Sequence, residues 1–101
     1  MAYQPTWQSK KVPCTHSFVA ADKDKAYEIT CPEGAKRLLL ELQTNTGLFA
    51  YSGTAGSDLG TSAHSLAADA VSEWRLSGSP QTVYVQVDTN TTTVVLSFLA
   101  E

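Results

Sequence analysis

The chain has little charge and no long apolar run, and each scarcity excludes a class of function. Charged residues make up 17% of the 101 positions, below the roughly 25% that is usual for globular domains. No apolar stretch approaches the roughly 18 residues that a membrane span requires, so we expect no membrane partner. The seven basic residues are scattered along the chain. A phosphate backbone needs a basic patch, so we expect no nucleic-acid partner either.

Cysteine is also scarce, with only Cys14 and Cys31 in the chain. Each lies in or beside a predicted strand, and neighbouring antiparallel strands would bring the two sulfurs close enough for a disulfide. The first ten residues lack the basic and apolar regions of a secretory leader, which favours synthesis and folding in a cytoplasm. Because that compartment is reducing, two buried thiols are favoured over the disulfide.

The strongest pattern present is in the last third of the chain. Apolar residues occupy every second position over 83–87 and again over 94–98, and the polar segment 88–93 joins the two runs. Two runs of period two around a polar turn predict a β-hairpin with one buried face. On the other face, Val95 and Leu99 are less polar than a solvated sheet needs, which predicts a second covered surface.

Five further segments alternate in the same way, giving about seven predicted strands in all. They are 14–19, 27–31, 36–43, 48–52 and, after a turn over 67–69, 71–76. The segment 36–43 is also rich in good helix formers, but its strict alternation and short length favour a strand. Residues 53–65 contain three glycines and many small polar residues, which predicts a long loop of functional use.

Short strands at spacings near ten residues are typical of all-β sandwiches and barrels. The sequence therefore predicts a single antiparallel β-sandwich or jelly-roll-like domain of about seven to eight strands over residues 12–101. Residues 1–11 show no periodicity and contain a proline that disfavours a helix. They predict an extended N-terminal arm.

The chain offers no convincing set of metal ligands or catalytic groups. The possible zinc ligands lack the usual CxxC spacing; they are Cys14, His16, Cys31 and His64. Asp22 and Asp24 alternate with lysines and indicate a solvated turn rather than a calcium site. No GxSxG or phosphate-binding glycine motif is present. We therefore expect no cofactor, no metal and no enzymatic activity, and a small hydrolase built around His16 or His64 ranks last among the alternatives.

Aromatic residues supply the candidate interface. Tyr3, Pro5 and Trp7 lie in the arm, which has no core of its own, so their side chains are candidates for contact with a neighbouring subunit. The alternative is that the arm folds back and covers the core of its own domain.

Further candidate interface residues lie in the domain itself. Tyr84 is on the outward side of the closing hairpin, and Leu59 and His64 belong to the predicted loop over 53–65, which would supply a second contact. These three positions complete the predicted protein interface.

The C-terminal pattern resembles a known class of proteins. The segment AHSLAADAVSEW at 63–74, the strand TVYVQVDT at 82–89 and the final TVVLSFL at 93–99 resemble the ending of many small virion proteins of tailed bacteriophages. The resemblance covers about the last forty residues and transfers no catalytic residue. It implies a structural β-sandwich protein of the virion, made in the host cytoplasm.

Within that class the resemblance favours a head decoration (cement) protein. Such a protein would be a homo-oligomer, a trimer, and would bind the major capsid protein or another virion protein of the assembled head. A tail or fibre-base component is the alternative location. The rival from another class is a carbohydrate-binding β-sandwich that stacks sugars on Trp7, Tyr51 or Tyr84.

Overall fold

A computed structural model describes residues 3–6, 11–78 and 81–100 of the chain. These residues form eight β-strands: β1 (Cys14–Ala20), β2 (Tyr27–Cys31), β3 (Arg37–Leu42), β4 (Gly47–Ala50), β5 (His64–Leu66), β6 (Val71–Arg75), β7 (Gln81–Val87) and β8 (Thr92–Leu99). The described ranges contain no α-helix, and hence none of the length and apolarity that crosses a membrane. The prediction of an all-β domain is confirmed, and the helical alternative for 36–43 is wrong.

The strands form two four-stranded antiparallel sheets. Sheet 1 has the order β1-β8-β3-β6, and sheet 2 has the order β2-β7-β4-β5. Each strand of the first half of the chain pairs with one of the second half, as in a single long hairpin that is folded over on itself. The pairs are β1–β8, β2–β7, β3–β6 and β4–β5. This strand order is that of a jelly roll, the eight-stranded double sheet found in viral capsid proteins, lectins and cupins.

The core lies between the sheets and follows the alternation seen in the sequence. On β8 the burial pattern alternates without a break, and Val94, Leu96 and Phe98 are fully buried. The partner strand β3 buries Leu38 and Leu40 in register with them. Each sheet therefore gives one face to the core, because successive side chains of a strand point to opposite sides.

The strand β5 (His64–Leu66) is the one element that the sequence pattern did not predict, since it lies in and just after the segment predicted as a loop. It has three residues, of which only Leu66 is buried. A strand this short shows no measurable period. It forms because its backbone pairs with β4, where His64 lies opposite Phe49.

The two cysteines are on strands of different sheets and are free thiols. Cys14 is on β1 and half-buried, whereas Cys31 is on β2 and buried. Burial raises the pKa of Cys31 to about 12 and also raises the pKa of Cys14. The disulfide alternative is wrong. The strands β1 and β2 follow each other along the chain but lie in different sheets, so they are not paired and their cysteines stay free.

Candidate functional site

Four aromatic rings meet at the side of the sandwich where the edge strands β5 and β6 lie, next to β4. We call this cluster the aromatic edge; its members are Phe49, Tyr51, His64 and Trp74. The ring of Trp74, from sheet 1, stacks on Phe49 of sheet 2 with 4.1 Å between ring centroids and 17° between ring planes. Tyr51 meets both rings edge-on, at 5.1 Å from Phe49 and 6.3 Å from Trp74. His64 lies 5.2 Å from Trp74.

Strand registers place these rings together. Phe49 and His64 are directly opposite each other on β4 and β5, so their side chains leave the sheet on the same side. Trp74 occupies an inward position of β6, the edge strand of sheet 1. Tyr51 follows the last residue of β4.

The aromatic edge is anchored in the core and open to solvent. Phe49 is fully buried, Trp74 is half-buried, and Tyr51 and His64 are exposed, Tyr51 by 43%. The indole nitrogen of Trp74 donates a hydrogen bond to Ser72 Oγ at 2.9 Å. With its N–H satisfied inside the domain, Trp74 presents ring carbon to a partner without leaving a buried donor unpaired.

Leu59 and Tyr84 are brought together on the outer face of sheet 2, away from the aromatic edge. Both side chains flank Gly53, where an added Cβ would lie 2.7 Å from Leu59 Cδ2 and 3.3 Å from Tyr84 Cγ. Gln86 joins them, because its Oε1 accepts a hydrogen bond from the Leu59 backbone N–H at 2.7 Å and its Nε2 donates to Asp58 at 3.0 Å. Their contacts are therefore within their own domain, and they hold the loop against the sheet.

The loop that follows β4 is fixed by its backbone as well. Ala26 N–H donates to Ser57 O at 2.8 Å, and Gly56 N–H donates to Ala26 O at 2.8 Å. These two bonds attach the loop to the backbone at Ala26, the residue before β2. The segment 51–63 therefore forms an ordered cover over the outer face of sheet 2 and leads directly into β5 of the aromatic edge.

The arm residues Tyr3 and Pro5 are both half-buried. The Tyr3 ring packs edge-on against Tyr27 at 5.2 Å, and its hydroxyl donates to Asp22 at 2.7 Å. That hydrogen bond, with some burial and the charge of Asp22, raises the pKa of Tyr3. At Tyr3 the arm is therefore folded back on its own domain, the second of the two arrangements considered for the arm. Trp7 lies outside the described residues.

Glu28 ties this part of the arm to the sheet. Its carboxylate accepts hydrogen bonds from Tyr84 OH, at 3.0 Å, and from the Gln4 side chain, while its backbone N–H donates to Tyr3 O at 2.7 Å. Burial first, and then the hydrogen bond to Glu28, raise the pKa of Tyr84. This cluster closes the β2 edge of sheet 2.

Turns at one end of the sandwich hold β-branched residues in the left-handed region. Thr44 has φ 76° and Thr91 has φ 60°, a conformation that such residues rarely adopt. A hydrogen bond from its own N–H holds each of them, to Asp69 Oδ1 at 2.9 Å for Thr44 and to Ala21 O at 3.2 Å for Thr91. Among the described residues no three His, Cys, Asp or Glu side chains form a group that would hold a metal ion.

The two histidines are at opposite edges of the sandwich. His16 is on β1, tilted against Phe98 at 6.2 Å, whereas His64 is on β5. The ring contact that the structure gives His64 is with Trp74. The geometry thus separates the two histidines and places His64 in an aromatic setting.

Comparison of this chain with protein-family models, with curated proteins and with solved structures gives no match.

Proposed function

We propose that this chain is a non-enzymatic structural protein of a tailed-phage virion, a head decoration protein that binds and stabilises the assembled shell. The aromatic edge carries this proposal. It is a solvent-open group of rings, anchored by the Trp74–Phe49 stack, and Tyr and Trp are enriched among the residues that dominate binding energy at protein interfaces. The jelly-roll order of the strands agrees with it, because that fold recurs in viral capsid proteins.

The surroundings of the aromatic edge suit it to rigid docking. The segment 51–63 connects the two strands that carry Phe49 and His64, and backbone hydrogen bonds to Ala26 hold it in place. A surface ordered before binding loses less conformational entropy when it meets its partner. Tyr51 and His64 would therefore contact the shell as parts of a preformed surface.

Stabilisation of the shell then follows from mass action. A protein that binds the assembled state and not the free subunits shifts the equilibrium towards assembly. In a symmetric oligomer the linked copies add avidity, because each tethered contact raises the effective concentration of the next. The partner in this proposal is the major capsid protein or another virion protein, and the trimer that the resemblance implies stays a prediction for a measurement of mass in solution.

Binding to undecorated heads tests the role of the aromatic edge. Tyr51→Ala and His64→Ala remove exposed rings, and we expect each to weaken binding by about tenfold or more, the loss of roughly 1.4 kcal/mol. Thr30→Ala is the matched control, because Thr30 is an exposed strand residue at the far edge of sheet 2. Equal binding of all three variants would contradict the proposal. Trp7→Ala on the same heads tests the predicted arm contact.

The second candidate is a carbohydrate-binding module, and the exposed rings of the same aromatic edge favour it. Tyr51 and the half-buried Trp74 meet at 80°, and together they offer ring surface on which a sugar could stack. A glycan array and the tryptophan fluorescence of the chain on addition of sugar distinguish the two candidates. Signal that disappears in Tyr51→Ala, with no binding to heads, would establish the carbohydrate module instead.

A further inference from the structure

The edge strand β6 presents backbone hydrogen-bonding groups beside the aromatic edge. In the β3–β6 pair, Leu76 N–H donates to Lys36 O at 3.0 Å. Because backbone direction alternates along a strand, the even-numbered residues of β6 bond to β3 and the odd-numbered residues point their N–H and C=O groups away from the sheet. The odd-numbered residues are Val71, Glu73 and Arg75. Within the described ranges, no other segment forms a backbone hydrogen bond with these outward groups.

The opposite side of the sandwich shows how such an edge is closed. There the outward groups of sheet 2 are paired: Glu28 N–H donates to Tyr3 O at 2.7 Å, and Ala26 exchanges hydrogen bonds with the loop that follows β4. The Tyr3 ring packs on Tyr27 at 5.2 Å, and Tyr27 contacts Phe18 of β1 at 5.4 Å. A segment that bonds through its backbone and adds one aromatic ring thus closes the β1–β2 side.

The β5–β6 side has the same two features, an edge with outward backbone groups and a half-buried ring, Trp74. The backbone of Trp74 faces β3, so a residue directly opposite it on an added strand would form a non-hydrogen-bonded pair, in which side chains are closest. The added side chain would leave its strand on the inward side, as Trp74 does, and lie over that ring beside Tyr51 and His64. An apolar or aromatic side chain fits this position.

The next position along β6 selects for charge. Arg75 is exposed, and none of the described residues forms an ion pair with it, whereas Glu73 is bridged to Arg37 at 3.4 Å. A residue opposite Arg75 on an added strand would lie next to the guanidinium, where an acidic side chain is favoured and a basic one is disfavoured. The edge therefore fits an extended segment in which an acidic residue adjoins an apolar one.

We propose that β6 binds an extended segment of the shell protein as a fifth strand of sheet 1, with an apolar side chain over Trp74 and an acidic side chain beside Arg75. In strand addition the main-chain hydrogen bonds supply affinity, and the alternate side chains supply specificity. This inference rests on the proposed function and adds to it the conformation and the chemistry of the shell segment.

A proline in β6 tests the backbone contact on undecorated heads. Glu73→Pro removes an outward N–H and no hydrogen bond to β3, a position at which an edge strand tolerates proline. Glu73→Ala loses the same carboxylate but keeps the N–H, so it is the matched control. We expect Glu73→Pro to bind about tenfold more weakly than Glu73→Ala, because one backbone acceptor of the shell segment is left unpaired.

Folding of the proline variant is checked separately. Circular dichroism shows whether Glu73→Pro is folded. Should it fail to fold, Val71→Pro against Val71→Ala repeats the comparison at the first residue of β6, where proline disturbs a strand least.

A change of charge tests the second position. Arg75→Glu sets like charges beside each other, and we expect it to bind heads about tenfold more weakly than Lys23→Glu. Lys23→Glu is the matched control, because it makes the same change of charge in the exposed turn between β1 and β2, on the opposite side of the sandwich.

The outcomes separate this inference from the proposed function. If the unmodified chain binds heads and the proline variant binds as its alanine counterpart does, strand addition is wrong and the proposed function stands. If the folded, unmodified chain does not bind heads, the proposed function is wrong and the shell segment with it. Self-association of the free chain that Glu73→Pro abolishes would place a second copy on β6 and would also overturn the inference.

Discussion

Trp74 stacks face to face on Phe49, and this contact joins the edge strand of one sheet to an inner strand of the other. The same contact fixes the orientation of Trp74, against which His64 is packed at 5.2 Å. One pair of rings therefore supports both the closure of the sandwich at this side and the shape of the candidate site. A substitution at Trp74 therefore changes both the stability of the fold and the shape of the candidate site. Tyr51 and His64 are exposed, so their substitution tests the proposed binding with less effect on stability.

We predict that Trp74→Ala lowers the free energy of unfolding by about 2 to 4 kcal/mol, because it removes a large half-buried ring and the stack on Phe49. Chemical denaturation followed by circular dichroism measures this. The neighbouring substitution Arg75→Ala is the control, since Arg75 is exposed on the outer face, and its effect should stay within about 0.5 kcal/mol. Equal losses for the two variants would show that the stack contributes little.

We predict that Gly47→Ala is strongly destabilising. Gly47 is buried at the start of β4, and an added Cβ would overlap the carbonyl oxygen of Gln86 and the Leu42 side chain. Overpacking against backbone that is fixed in a sheet should cost about 3 kcal/mol. At Gly60, with φ of +80°, an added Cβ meets nothing within 4 Å, so Gly60→Ala should cost only about 1 kcal/mol for its left-handed backbone. A thermal melt that ranks the two variants in the reverse order would contradict this account.

We predict that the two thiols react at different rates with a disulfide reagent near pH 8, where an ordinary thiol is partly ionised. Cys31 is 2% exposed and its pKa is raised to about 12, so its thiolate is scarce and shielded. Cys14 is half-buried and should react first, although more slowly than a free thiol because burial also raises its pKa. Both should react at once in denaturant. Rapid modification of Cys31 in the native protein would refute its placement between the sheets.

We predict a loss of stability at alkaline pH that depends on Tyr84. Its pKa is raised in the folded state by burial and by Glu28, so the neutral phenol favours folding below its ordinary pKa of about 10. That contribution disappears as the pH rises through the folded pKa. Denaturation over this pH range should therefore show a smaller loss in Tyr84→Phe than in the unmodified chain.

Phenolate absorbance provides an independent check on the partner of Tyr84. In Glu28→Gln the negative charge beside the hydroxyl is gone, so the titration assigned to Tyr84 should move to lower pH. A titration that does not move would mean that Glu28 has no effect on this tyrosine.

Period-two alternation was enough to predict most of the fold. The faces of β3 and β8 could be read directly, because Leu38, Leu40 and Phe98 lie on one side of continuous runs. The strand β5 could not be predicted, because three residues contain no period and the strand depends on pairing with β4. The local pattern thus determines which face of a strand is buried, whereas the pairing partner determines whether a very short strand forms.

The aromatic edge was only partly visible in the sequence. Trp74 reads as a core residue from its parity on β6, and His64 reads as a loop residue, 10 positions away along the chain. Their contact follows from the order of strands in two different sheets, since β5 and β6 are the edge strands on the same side. Long-range topology of this kind is not encoded in any short window of sequence.

The Gln86 side chain gives a second example. Its parity opposite Val85 and Val87 predicts a solvent-facing residue, and it does point outward from sheet 2, yet it is only 2% exposed. The covering group is the loop at Leu59, which is held by a hydrogen bond to Gln86 itself. A loop that closes over a sheet face leaves no periodic signal, so this burial is found only in the structure.

The heat resistance of undecorated phage heads tests most directly whether the chain stabilises an assembled shell. The temperature at which heads release their DNA or disassemble should rise with added protein. Once the sites are filled, the rise should continue with the logarithm of the free protein concentration, because a protein that binds only the assembled state stabilises it by RT ln(1 + [L]/Kd) per site. Tyr51→Ala should require a higher concentration for the same rise. An unchanged disruption temperature at saturating concentrations of the folded protein would contradict the claim.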